Sequence, residues 1–215
     1  MIVYLETLIL YTVLFLAGGG FIPAAPAVPA AFSAAALIAQ ILLYIIPSIV
    51  LIWYLLIKAD PLRFLDTRLR ISDLIPMLIT LPCLFIIGFS ISFSSKHIDG
   101  SSAQIALNTP PDTAGWIILG LFCISSAYLE ETFFRYYILS RHEELKMTGA
   151  SALVLSTALF SICHIYEGPW GFLNSLLSGA MLSFLFLRYR SLHGIAIAHG
   201  LYNITVYIVN AMTTS

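Results

Sequence analysis

Charge is scarce in this chain. Ten Lys and Arg and eleven Asp and Glu make up 10% of 215 residues, where a soluble domain carries about 25%. With 60% hydrophobic residues and a strongly positive mean hydropathy, that shortage excludes an ordinary soluble globular domain and points to an integral membrane protein in a lipid bilayer. The net charge of −1 says nothing about nucleic acid, and with no basic run to suggest one, no nucleic-acid partner is expected. Cysteine is nearly absent too. Cys83, Cys123 and Cys163 are odd in number and lie in apolar segments, so they read as small buried hydrophobes with no disulfide framework. Two hydrolytic signatures are also missing: no His-Glu-x-x-His for zinc and no Gly-x-Ser-x-Gly elbow.

What is present is a series of apolar runs, each judged against the roughly 20 residues a helix needs to cross a bilayer. They lie at about 2–17, 31–57, 74–93, 113–140, 149–166, 170–187 and 192–209, predicting an all-α, polytopic bundle of about seven transmembrane helices in one continuous membrane domain. The first run has no basic leader or cleavage site, so it reads as a retained helix. Prolines 23, 26 and 29 favour an extended or kinked linker after it, Pro47 should kink the second span and Pro82 bend the third. Asp112 or Thr113 is placed to N-cap the fourth span, and Gly168-Pro169 to stop the fifth. Lys58, Arg63, Arg68, Arg70, Arg141, Lys146, Arg188 and Arg190 fall on one side of this topology and only Lys96 on the other. That bias puts the N-terminus in the cytoplasm.

Few ionisable residues lie within the spans: Glu6, Glu130, Glu131, Arg135, His164, His193 and His199. Each costs about 2.5–3.5 kcal/mol near the bilayer centre on insertion scales, so each needs a partner or a wet cavity. Glu131 and Arg135 are four apart and can pair on one helix face. Glu130 points about 100° away from Glu131; without a local partner it is free to act as a base, provided a nearby donor holds it ionised. His199 and Asn203, also four apart, offer two hydrogen-bond donors on one face, the kind of pair an oxyanion requires. His164 follows Phe160 by one turn. His193, beside Arg188 and Arg190, reads as interfacial, and Glu6 faces an unknown partner and is assigned no role. A carboxylate, an imidazole and two further donors suit hydrolysis by an activated water. Cys163 and His164, adjacent on a helix, diverge and so do not make a thiolate–imidazole pair. A metal on Glu130, His164 and His199 is chemically open, although no metal or cofactor is expected.

Glu130-Glu131-x-x-x-Arg135, Phe160-x-x-x-His164 and His199-x-x-x-Asn203 resemble, in order, the three motifs of the CAAX-protease and bacteriocin-processing (CPBP) family of glutamic-type intramembrane endopeptidases. The run from Ser178-Gly179 through Leu187-Arg188-Tyr189-Arg190 to Ala198-His199-Gly200 is similar to the family's stretch between its second and third motifs. The resemblance covers roughly 113–210 and leaves residues 1–110 without an assigned role, so that 111–215 forms the catalytic part. It implies Glu130 as base, His164 holding and activating the water, His199 and Asn203 stabilising the oxyanion, and Glu131 and Arg135 in support. The implied partner is a protein or peptide with a C-terminal or membrane-proximal cleavage segment, and the implied location a prokaryotic cytoplasmic membrane. Tyr136 stands where the family commonly has Gly after the Arg, so bulk there works against prenylated substrates. Two other readings are open: a non-catalytic immunity or scaffold protein, and a proton-coupled small transporter.

Overall fold

The apolar runs fold as helices because, in lipid, a helix is the only single-segment structure that satisfies all its own backbone hydrogen bonds. A computed structural model describes residues 2–17, 32–60, 68–98, 100 and 108–214, and among these there is no strand. Among the described residues, five helices are long and apolar enough to cross a membrane: α2 (Ala34–Ala59), α3 (Ile71–Ile98), α4 (Thr113–Ser140), α6 (Ile165–Tyr189) and α7 (Leu192–Thr213). Two shorter apolar helices, α1 (Val3–Leu16) and α5 (Gly149–Cys163), complete a set of seven. The predicted linker at 21–30 and Arg63 lie outside the described residues.

Local chemistry sets the ends. Asp112 caps α4 by accepting from the Gly115 N–H at 2.7 Å, and Thr148 caps α5 by accepting from Ser151 N–H at 3.2 Å, each satisfying a donor that has no partner within the helix. Helix α5 ends at Cys163, short of the expected Tyr166, because His164 leaves the helical conformation and its ring turns back on the Phe160 carbonyl. Gly168 and Pro169 begin the next α-helical stretch as well as closing the previous one, since proline's missing N–H and fixed φ suit a first turn. Helix α3 runs on to Ile98 instead of stopping near Phe93. Its late polar residues Ser90, Ser95 and His97 bond to carbonyls one turn back, which keeps them inside the helix. Pro82 sits within that helix without ending it. Ahead of Pro47 the chain widens into a π turn, Ile41–Ile45, which relieves the clash a proline ring makes with the carbonyl four residues earlier.

A longer π turn, Glu131–Tyr137, interrupts α4. It falls on the motif-bearing stretch, which no propensity argument anticipates. The chain divides into two compact units, one of residues 1–24, 86–105 and 133–190 and the other of 25–85, 106–132 and 191–215. In the first, α5 packs along α6. In the second, the early part of α4 packs against α7, with α2 also lying on it.

Candidate active site

The second unit brings the two glutamates to one histidine. Gly200 makes this possible: a Cβ there would stand 2.9 Å from the Ile124 Cα and 2.6 Å from its Cδ1, so only a glycine lets α7 come this close to the α4 backbone. The residue before it, His199, is thereby set against the end of the α-helical part of α4. Its Nδ1 lies 2.8 Å from Glu131 Oε1, and its Nε2 lies 3.8 Å from Glu130 Oε2. Adjacent helical side chains diverge, and so do the two nitrogens of an imidazole; the ring fills the angle between the carboxylates.

The two acids are not equivalent. Glu131 is fully buried, and its hydrogen bond makes Nδ1 the donor, because a carboxylate oxygen accepts. Glu130 keeps 18% of its side chain exposed. The sequence leaves Glu130 without a local partner, but the structure gives it one: Ser126, one turn earlier, donates its hydroxyl to Glu130 Oε1 at 3.3 Å. The other oxygen, Oε2, is buried and has no hydrogen-bond partner among the described residues. A buried carboxylate oxygen left open is costly. Asn203 lies one turn beyond His199 on α7 and is half-buried.

The first unit holds Arg135, Phe160 and His164. Arg135 is completely buried. Its guanidinium carbon lies 4.3 Å above the Phe160 ring and 5.8 Å from that of Phe134, and Nη2 donates to the Gly179 carbonyl at 3.4 Å. A Cβ on Gly179 would sit 2.9 Å from the Phe160 ring, so this glycine leaves room for the stack. His164, half-buried at the end of α5, donates from Nδ1 to the Phe160 carbonyl at 2.8 Å; a carbonyl only accepts, so in the neutral ring Nε2 carries the lone pair. Its ring also packs on Phe160 at 4.6 Å. Phe160 thus carries Arg135 on its ring and orients His164 through its carbonyl. Tyr136 is buried edge-on against Phe186 at 6.1 Å.

Other polar residues gain partners that spacing did not supply. His193, read as interfacial, has its Nδ1 3.0 Å from the Tyr128 hydroxyl. Ser191 donates to Asp73 at 2.6 Å. Only Ser126 had a usable signal, its four-residue offset from Glu130. Among the described residues no group of three or more His, Cys, Asp or Glu side chains could hold a metal ion.

Fold and site define a class: an integral membrane protein of packed helices that sets paired glutamates against a histidine of its last helix. Residues 112–205 match the family model described as Rce1-like, type II CAAX prenyl endopeptidase Rce1-like, and that stretch holds all three motifs of the CPBP resemblance. No curated protein and no solved structure matches the chain. At the level of the family the match supports a CAAX-type membrane protease acting on a peptide or protein substrate.

Proposed function

We propose that this protein is a glutamic-type intramembrane endopeptidase in which Glu130 is the general base. The observation that carries the reading is the buried, unbonded Oε2 of Glu130 beside the Nε2 of His199, whose other nitrogen is committed to Glu131. Glu130 takes a proton from water as the oxygen attacks the peptide carbonyl, and returns it to the leaving amine. His164 helps hold and activate that water; its free Nε2 lone pair is the acceptor such a role needs. His199, through Nε2 when that atom carries a proton, and Asn203, through its amide, receive the charge developing on the carbonyl oxygen. Glu131 fixes the His199 ring, and Arg135 supports the helix that carries both acids.

The substrate is a membrane-associated protein or peptide that presents a C-terminal or membrane-proximal segment. The basic residues Lys58, Arg68, Arg70, Arg141, Arg188 and Arg190 support an orientation with the N-terminus in the cytoplasm, in a prokaryotic cytoplasmic membrane. Comparing C-terminal peptides of membrane proteins from cells with the native chain, with none, and with Glu130→Gln tests the reading. Shortened C-termini should be present only with the native chain. Their persistence in the Glu130→Gln cells removes Glu130 as base; their absence throughout favours a scaffold or a transporter.

A further inference from the structure

Helix α1 lies outside the family-matched residues, and its acid, Glu6, has no role by spacing. In the first unit it packs on the last part of α4. Tyr11 stands 6.4 and 6.3 Å from the rings of Phe133 and Phe134, and Phe15 stands 5.0 and 4.7 Å from the same two. Tyr137 stacks in turn on Phe133 at 5.6 Å. Nearer the start of α1, Glu6 accepts from Arg141 Nη1 at 2.8 Å and from the Tyr137 hydroxyl. Arg141 lies over the Tyr137 ring at 4.7 Å and donates from Nε to Glu144 at 2.8 Å. Tyr4 donates to the Leu145 carbonyl.

These contacts fall on residues 133–137 and on the turn just after them. Residues 133–137 are most of the π turn. A π turn is rare and is held by its surroundings against the ordinary α-helix. From the other side Ser156 of α5 donates to the Phe134 carbonyl at 2.6 Å. Burial alone would discourage charge on Arg141, but its bonds to Glu6 and Glu144 raise its pKa above the ordinary arginine value. The grip is therefore ionic at one end and aromatic along its length.

We infer that α1 is a positioning element for the acid pair: Glu6, Tyr11 and Phe15 grip residues 133–141, hold the π turn in register and thereby fix the direction of the carboxylate at its first residue, Glu131. Reverting that turn to α geometry would change the rotation per residue from about 82° to 100° and turn the side chains within it relative to one another. The inference rests on the proposed catalytic use of Glu130 and Glu131.

The test uses the full-length protein in detergent and in cells, with hydrogen exchange read at the amides of 131–137 and cleavage read from membrane-protein C-termini. Phe15→Ala and Glu6→Gln should each speed exchange at 131–137 about tenfold, leave the amides of α6 unchanged and reduce C-terminal shortening about tenfold. Leu8→Ala, on the exposed side of α1, should change neither readout. Unchanged exchange at 131–137 in both α1 variants overturns the inference. So does a rise spread evenly over the unit, or faster exchange with cleavage intact. Glu130→Gln should abolish cleavage with exchange unaltered; cleavage persisting in that variant sinks the catalytic reading, while the exchange result still judges the grip of α1 on the π turn.

Discussion

The Glu130–His199–Glu131 cluster and the Arg135–Phe160–Gly179 cluster are both polar groups held inside apolar helices, yet they are built to opposite ends. Arg135 is sealed, with aromatic faces and a carbonyl around it and no solvent exposure. An arrangement of that kind holds helices together and leaves the guanidinium out of reach of solvent. In the other cluster one acid is sealed in the same way, beside its bond to His199, while its neighbour retains partial exposure. On the proposed reading, adjacent residues of one helix divide the work: Glu131 fixes geometry and Glu130 stays available. Partial exposure, more than polarity itself, sets Glu130 apart from Glu131 and Arg135.

The comparison can be broken most directly at Glu130. Glu130→Gln keeps the shape and removes the basic oxygen, so cleavage should fall about 10²–10⁴-fold, the range typical of general-base loss, with the melting temperature in detergent nearly unchanged. An equally large loss of folded protein would make Glu130 structural instead. Next in size is His199→Ala, expected to lower cleavage about 10²–10³-fold if the ring receives oxyanion charge, with an additional loss of stability because Glu131 is left buried without this partner. Gly200→Ala should destabilise by about 1–3 kcal/mol through overpacking against Ile124, read as a fall in melting temperature.

On the sealed side, Phe160→Leu should cost about 0.5–2 kcal/mol from the lost cation–π contact with Arg135. Its signature is lower stability with a smaller change in cleavage per folded molecule; a catalytic loss as deep as that of Glu130→Gln would erase the distinction between the clusters. The smallest effect belongs to Ser126→Ala. Removing one 3.3 Å hydrogen bond to Glu130 is worth about 1 kcal/mol, or roughly fivefold in cleavage, because Glu130 keeps its place in the helix.

Much of the fold was legible because it follows from one-dimensional patterns. Apolar runs gave the helices, Asp112, one of two candidate caps, marked the start of α4, and four-residue offsets suggested partners within a helix. The same offsets misjudged Glu130, whose Ser126 partner is also four residues away. They were silent on Glu6, whose partners Tyr137 and Arg141 are 131 and 135 residues distant. The end of α5 was misplaced because a histidine's bond to the Phe160 carbonyl closed the helix earlier than its hydropathy suggested.

What the sequence alone determined is the membrane class, the count of apolar helices, and the cast of polar residues, since lipid tolerates so few ionisable groups that each one stands out. What only the tertiary structure decided is how those residues are spent. Helix spacing could not say that Glu131, rather than Glu130, holds His199, that Phe160 carries Arg135, or that α1 grips a widened turn. Each of those depends on where a second helix approaches, and close approach is set by side-chain volume across the contact, as Gly200 and Gly179 show, not by the order of residues along one chain.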